Sequence, residues 1–488
     1  MADIRQIQRG ERLDFRQRLA LTVKLSWPAM MAQLSSILMQ YIDAAMVGRL
    51  GADDSAAIGL VSTSLWLFWG VCSAAMAGFS VQAAHRIGAG NYGAARQVLR
   101  QGLVSAALFG MFVAVIGVSI ALPLPRWLGG NDSICGAASL YFLVFVSALP
   151  LLTLNYFGSA MLRAAGNMKV PGGLNVMMCL LDVVFNFVLI FPSRTYMLWG
   201  TEVYVPGAGL GVLGAALGTV SAEVVTAGLI IWYLCWREKG MAVFGPRRSD
   251  GCRGRRFFRP TRMVLKNALK VSAPMTLEHA VICGAQIMVT VIVAPLGVMA
   301  IAANAFAVTA ESLCYMPGYG IGDAATTLVG QSYGAGRKGL ARQFGLLTVG
   351  LGMAVMTVMG AVLYFFAPEV MSLLSPVEEI QRLGAEALRI EAWAEPMFAA
   401  AIVSYGVMVG VGDTLLPSVM NFGSIWLVRL PIAALLAPTM GLAGVWLAMC
   451  VELCFRGAVF LWRLLSGAWL RHGLLKQAET FPPPVDDV

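Results

Sequence analysis

Charge is scarce in this chain. Only 12% of its 488 residues are Asp, Glu, Lys or Arg, against about 25% in soluble domains, which excludes an ordinary soluble enzyme. Histidine is scarcer still, and His85, His279 and His472 lie too far apart in sequence to suggest a metal cluster. The 9 cysteines include no Cys-x-x-Cys pair, so neither a zinc site nor a disulfide framework is indicated. The turns Gly88-Ala89-Gly90 and Gly334-Ala335-Gly336 lack the Lys-Ser/Thr and the preceding strand of a phosphate loop. What the chain has is apolar length. It is 58% hydrophobic with a mean hydropathy of +0.74, and near-uncharged runs long enough for a ~30 Å hydrocarbon core recur throughout.

Twelve such spans are expected, at roughly 22–49, 55–83, 100–124, 136–162, 170–192, 210–236, 268–295, 300–329, 343–367, 381–411, 415–438 and 442–470. The fold class is therefore an all-α integral membrane protein. With the N-terminus cytoplasmic, all Lys and Arg except Arg49, Arg126, Arg194, Arg382, Arg389 and Arg429 fall on or near the cytoplasmic face, as the positive-inside rule requires. Both termini are thus expected to be cytoplasmic, in a multi-pass protein of the plasma (inner) membrane. The basic excess reads as topology, with no nucleic-acid partner. The Arg/Gly-rich stretch Arg247–Arg262 reads as a solvated linker, with lipid headgroups as its alternative contact. The first apolar run is too long for the core of a cleaved signal peptide.

The halves of the chain repeat. A shift of 246 residues places Pro28 on Pro274, Leu50-Gly51 on Leu296-Gly297, Pro150 on Pro396, and Gly166, Pro171 and Asn175 on Gly412, Pro417 and Asn421. Gly211-x-x-Gly214 matches Gly441-x-x-Gly444 at an offset of 230, so the first half carries an insertion of 16 residues around Ser193–Gly209, expected as a short cap on the external side. An even number of spans per repeat inserts both halves the same way up, with sites expected near the midplane between them. The expected layout is an N-terminal tail (1–21), a six-helix lobe (22–236), a basic linker (237–267), a second six-helix lobe (268–470) and a C-terminal tail (471–488).

A charge at the bilayer centre costs about 2.5–3.5 kcal/mol on insertion scales, so each embedded acid invites a functional explanation. Asp43 in span 1 and Asp182 in span 5 are the chief candidates of the first half. Asn175, Asp182 and Asn186 share one helical face. A carboxylate flanked by amides can take Na⁺ through oxygen ligands or be neutralised by H⁺, so the metal expected at Asp43 and Asp182 is at most transient Na⁺, and no structural metal is expected. The plainer reading, a hydrogen bond from Asp182 to Asn186 or a neighbouring helix, stands beside it. In the second half the counterparts of Asp43 and Asp182 are Val289 and Val428, and acids stand elsewhere: Glu278, Glu311, Asp323, Glu391, Glu395 and Glu452. Arg429 reads as a structural partner for one of them, and Glu223 and Glu452 as inter-helix hydrogen-bonding groups. His279 and most of the 27 methionines read as structural.

Three motifs carry a resemblance. Pro28…Asp43-x-x-Met46-Val47-Gly48-Arg49-Leu50-Gly51, Leu328-Val329-Gly330-Gln331-x-x-Gly334-Ala335 and Gly410-Val411-Gly412-Asp413-Thr414 resemble signatures of the multidrug and toxic compound extrusion (MATE) family, over about residues 20–470. The resemblance implies a twelve-helix, two-lobed antiporter, not an enzyme. It would expel amphiphilic, mostly cationic small molecules in exchange for H⁺ or Na⁺, without a cofactor, as a monomer among membrane lipids. It also implies cation or substrate sites on helices 7, 8 and 10, here Glu278, Glu311 and Glu395. Span 5 departs from the common Asn-x-x-x-Asp, reading Asp182-x-x-x-Asn186, and Met408-Val409-Gly410 replaces Leu-Arg-Gly. The alternative is a flippase for lipid-linked precursors, which would need a cationic cavity for pyrophosphate. A non-transporting receptor or channel has less need of two equivalent bundles.

Overall fold

The computed structural model describes residues 4–8, 12–198, 201–238, 240–243, 259–471 and 473. The core of the expected linker (244–258, with Cys252), His472 and the tail from 474 lie outside the described residues. Within a bilayer every backbone N–H and C=O must be paired inside the protein, and the chain meets that demand with helices. The first lobe contains α1 (Phe15–Gly48), α2 (Ala52–Gly88), α3 (Tyr92–Ile120), α4 (Asp132–Ala164), α5 (Lys169–Ile190) and α6 (Gly211–Trp232). The second contains α7 (Arg262–Val293), α8 (Val298–Gly334), α9 (Lys338–Leu374) and α10, which is broken into α10a (Glu378–Glu391) and α10b (Glu395–Val411). The last helical run, Leu415–Ser466, turns at Gly441, whose φ of 63° is not helical, giving α11 (415–440) and α12 (442–466).

Among the described residues 9 helices are long and apolar enough to cross a membrane, and α10, bent by 61°, makes a tenth. The turn at Gly441 splits one of these in two. Arg16, Arg18, Lys24 and Asp43 lower the hydropathy of α1, which completes the expected twelve. The helices overrun the apolar stretches by one or two turns. Thus α1 starts at Phe15 rather than near 22, and α8 runs to Gly334 rather than 329, because helical hydrogen bonding continues where charged side chains are already solvated. Among the described residues the 16-residue insertion is not helical. Strands β1 (Pro192–Leu198) and β2 (Thr201–Ala208) pair antiparallel, on a segment containing the strand-forming Tyr196, Val203, Tyr204 and Val205.

The repeat holds in the backbone. Helices α2 and α8 are both 37 residues long and start 246 residues apart. Gly90 (φ 76°) answers to Gly336 (φ 73°), and Gly166 (φ 85°) to Gly412 (φ 87°). Past the hairpin, Gly211 (φ 54°) answers to Gly441 (φ 63°). These left-handed turns favour glycine on steric grounds, which is why the helix ends survive in both halves while other side chains differ.

The lobes meet by exchange: α1 lies against α8, and α7 against α2. Near the face that carries Phe15, here called the basic face, α2 and α8 cross closely. A Cβ on Gly88 would sit 2.0 Å from the Gln331 carbonyl oxygen, and one on Gly334 would sit 2.1 Å from that of His85. His85 Nε2 donates to the Gly410 carbonyl (2.7 Å), and Gln331 Nε2 to the Ala164 carbonyl (2.7 Å). Shifted by 246, each member of one pair falls on a member of the other, so the closure is built twice on one plan. Ile7, fully buried, packs into the same inner core, and Arg337 donates to its carbonyl at 3.4 Å. Among the described residues the outermost inter-lobe hydrogen bonds are Tyr41 to Thr309 and His279 to Trp66.

Gly88→Ala and Gly334→Ala should each destabilise this closure by about 1–3 kcal/mol through overpacking. Gly339→Ala, where a Cβ meets open space, should leave it unchanged. Thermal denaturation of the purified variants, with labelling of a cavity cysteine (Ala160→Cys) by an impermeant thiol reagent from the basic side, checks this; equal behaviour of all three would contradict it.

Candidate functional site

Lobe one gathers its acids where α1 and α5 meet. Asn186 Nδ2 donates to Asp43 Oδ1 (2.9 Å) and to Asp182 Oδ2 (3.1 Å). The two carboxyl groups are within hydrogen-bonding range of each other, and Thr219 on α6, whose hydroxyl donates to the Ala215 carbonyl (3.2 Å), is a neighbour of Asp182. Gly218 makes room for this junction, since a Cβ there would lie 2.0 Å from Asn186 Oδ1. Asp182 is fully buried, while Asp43 is half-buried. Asp182 Oδ1 and Asn186 Oδ1 are buried without a hydrogen-bond partner. Asn175, two helical turns away on α5, is not part of this group; its amide donates to the Ala32 carbonyl (2.8 Å) and Ser36 Oγ (2.9 Å).

No fixed cation stands near these acids in the sequence of their own helices. The Lys and Arg residues on α1 to α6 are Arg16, Arg18, Lys24, Arg86, Arg96, Arg100, Arg163 and Lys169, each within about three turns of its helix's basic end. Two carboxylates at hydrogen-bonding range in a low-dielectric interior repel strongly and are poorly solvated. The junction can therefore hold H⁺, or Na⁺ on its free oxygens.

Lobe two keeps the joint and moves the acid. Asn421, the repeat-mate of Asn175, donates to Glu278 Oε1 (2.5 Å), and Glu278 is the repeat-mate of Ala32. Tyr405 Oη and Ser418 Oγ donate to Glu278 Oε2, both at 2.6 Å. A second acidic group surrounds the break in α10. Glu391 and Glu395 flank it, fully buried, with all four carboxyl oxygens unpartnered, and Glu311 on α8 is a charged neighbour of both. The structure thus joins Glu311 and Glu395 with Glu391 and leaves Glu278 apart on the wall of the central cavity.

Arg429 finds its partner in Glu452 (2.6 Å). Arg456, which sequence position assigned to the basic face, is instead in the interior, 3.0 Å from Glu452 and with its guanidinium 5.5 Å from the Phe398 ring centre. Counting charges from a helix end could not see that a buried acid one turn earlier holds this arginine inside. The spacing Glu452-x-x-x-Arg456 was the available signal, as the repeat was for Asn421. Nothing in the sequence pointed to Tyr405 or Ser418.

Between the lobes lies a cavity of about 420 Å³. Small residues of α2 (Gly70, Ser73, Ala74, Ala77) form one wall, facing Tyr319, Phe398, Tyr405 and Glu278 of lobe two. Arg163 and Asp323, from opposite lobes, meet at 3.8 Å on its lining. His279 packs on Trp66 with ring centres 4.8 Å apart, and Gly70 leaves the space its ring occupies. A cavity of this size, apolar and aromatic with a few charged groups, suits a small amphiphile.

Comparison with known proteins matches this architecture. The chain is 26% identical over 459 residues to a protein of Thermotoga maritima named probable multidrug resistance protein NorM, covering 93% of each. It is 24% identical over 455 residues to the Neisseria meningitidis serogroup B protein of the same name, covering 92% of this chain and 94% of that one. A solved MOP-superfamily transporter from Pyrococcus furiosus superposes with a TM-score of 0.84 at 22% identity, covering 96% of this chain and 98% of the other. An outward-facing multidrug resistance MATE family transporter gives 0.83 at 22% identity with the same coverage. The MatE family model matches residues 28–188 and again 274–435, two blocks whose starts are separated by the repeat offset itself. The chain belongs to the MatE family of membrane transporters, and is not an enzyme.

Proposed function

We propose that the protein is a secondary active antiporter. It exports amphiphilic, mostly cationic small molecules across the plasma (inner) membrane, with both termini cytoplasmic, in exchange for H⁺ or Na⁺. The observation that carries this reading is the Asp43–Asn186–Asp182 junction: one buried and one half-buried acid with an amide donor, unpartnered oxygens and no Lys or Arg near them along their own helices. Its charge balance is completed by a mobile ion, and a mobile ion is what a gradient-driven exporter needs. The names of the relatives support small-molecule efflux.

The two lobes, 22–236 and 268–470, joined by the linker 237–267, rock about the closure at α2 and α8. With that closure made, the cavity communicates with the outside. H⁺ or Na⁺ then enters at Asp43 and Asp182, and the substrate leaves. Opening the closure breaks the His85 and Gln331 bonds and exposes the cavity to the cytoplasm. Glu278 faces the cavity and is the residue we assign to the substrate's positive charge. Glu311 and Glu395, with Glu391, form a second reserve of exchangeable charge in lobe two. Asn175 holds α5 to α1, and through them the spacing of Asp43 from Asp182. The tails are cytoplasmic, and the transporter acts as a monomer in contact with lipid. Arg163 and Arg456 line the cavity, but each faces an acid, Asp323 and Glu452, which disfavours a pyrophosphate-binding flippase.

Asp43→Asn keeps the hydrogen-bonding shape and removes the charge. It should leave expression and folding intact and reduce ethidium efflux from cells at least tenfold; unchanged efflux would remove Asp43 from coupling. In proteoliposomes loaded with ethidium, imposed pH and Na⁺ gradients applied separately identify the coupling ion, and steady current without exchange would refute antiport. Glu278→Gln loses a charge-assisted interaction of about 1.5–3 kcal/mol. It should weaken ethidium binding by roughly tenfold or more while leaving uptake of an uncharged dye near the wild-type rate.

A further inference from the structure

Each lobe buries a glutamate on its sixth helix. Glu223 on α6 and Glu452 on α12 fall within one position of each other at the offset of 230, and both are almost excluded from solvent. Their partners differ in kind. Glu452 is held between Arg429 and Arg456, so its negative charge is fixed by two guanidinium groups. Glu223 meets the side-chain amide of Asn155 on α4 at 2.5 Å, and that bond is buried. The other polar atom of Asn155, Oδ1, is buried with no partner.

An amide can do what a guanidinium cannot. Facing Glu223 with Nδ2, Asn155 donates to an ionised carboxylate; turned over, its Oδ1 accepts from a protonated one. The unpartnered Oδ1 is the half of that exchange left unused when Nδ2 faces the acid. Glu223 can therefore change its protonation without losing its hydrogen bond, whereas protonating Glu452 would strand two arginines. Unlike Glu452, Glu223 also has no Lys or Arg at its depth on the helices of its own lobe.

Its position links two regions. On α5 the Asp182 carboxyl is close enough for the two charges to interact, and the Cys179 thiol is the other titratable neighbour there. On the other side, Tyr156, the residue after Asn155, is a neighbour of Glu223 and lines the central cavity. We propose that Glu223 is a third proton-exchanging carboxyl of the first lobe, standing between the Asp43–Asp182 junction and the substrate cavity. This rests on the ion-coupled reading above. Glu223 holds a proton while the cavity is empty. When an organic cation settles beside Tyr156, Glu223 releases that proton to cavity water, and the carboxylate, kept by Asn155 Nδ2, balances the incoming positive charge. Embedded acids are the usual relay points of membrane proton pathways, and the amide partner makes this one reversible.

The test counts protons. Full-length protein in detergent is titrated with ethidium in weakly buffered solution containing a pH indicator, and protons released per ethidium bound are compared. At saturating ethidium Glu223→Gln should release one proton fewer than wild type and, having lost the compensating charge, bind at least tenfold more weakly; Glu223→Asp should restore both. Equal release by wild type and Glu223→Gln overturns this proposal and leaves antiport standing. No release by wild type at saturating ethidium overturns proton coupling and this proposal together. A second readout needs no variant: dicyclohexylcarbodiimide, which attacks protonated carboxyls in apolar surroundings, should label Glu223 in the wild type and label it less with ethidium bound. Label on Asp182 with none on Glu223 counts against the proposal.

Discussion

A carboxylate in a medium that cannot solvate it must borrow its counter-charge, and that constraint organises this molecule. In lobe two part of the debt is settled permanently, by Arg429 and Arg456 on Glu452. In lobe one Asp43, Asp182 and Glu223 are hydrogen-bonded by the amides of Asn186 and Asn155, groups that stabilise charge without cancelling it. Buried pairs of opposite charge are a poor source of stability but a good way to fix geometry, and the Glu452 cluster ties α11 to α12. Uncompensated acids do the reverse. They leave a site open to a proton or a cation, which is the basis of the antiport proposed above.

The two-lobed scaffold makes that requirement useful. Because α1 packs on α8 and α7 on α2, neither lobe can move without disturbing the other's second helix. The tight crossings at Gly88 and Gly334 bring backbone against backbone, a contact with few intermediate arrangements. Hydrogen bonds at matched positions, from His85 and Gln331, complete it. Small side chains along α2 then leave room for a cavity directly above the closure, where Glu278, Asp323 and the aromatic side chains of lobe two can meet a bound molecule.

Much of this was legible in the sequence, for identifiable reasons. Spans are visible because hydrocarbon thickness sets a minimum apolar length, and the repeat because left-handed turns admit little besides glycine. Asp43, Asp182 and Asn186 were found together because an embedded acid is costly enough to stand out and because helical spacing puts two of them on one face. The split of the second-lobe acids into Glu278 and the Glu311–Glu391–Glu395 group was not legible, since it depends on the break in α10 and on helices distant in sequence. The interior place of Arg456 was hidden by its nearness to a helix end rich in positive charge. The β1–β2 hairpin escaped because it lies in an insertion too short for a clear alternating pattern.

The repeat moves its acid along the helix as well as changing its neighbours. Asp43 stands 11 residues beyond Ala32, the repeat-mate of Glu278, so the two carboxyls lie about 16 Å apart in depth within a hydrocarbon layer of ~30 Å. A unit charge crossing the whole membrane exchanges about 2.3 kcal/mol with each 100 mV of potential. A unit charge placed at Asp43 and one placed at Glu278 would therefore feel different fractions of a transmembrane voltage, even though the backbones of the two lobes are near copies.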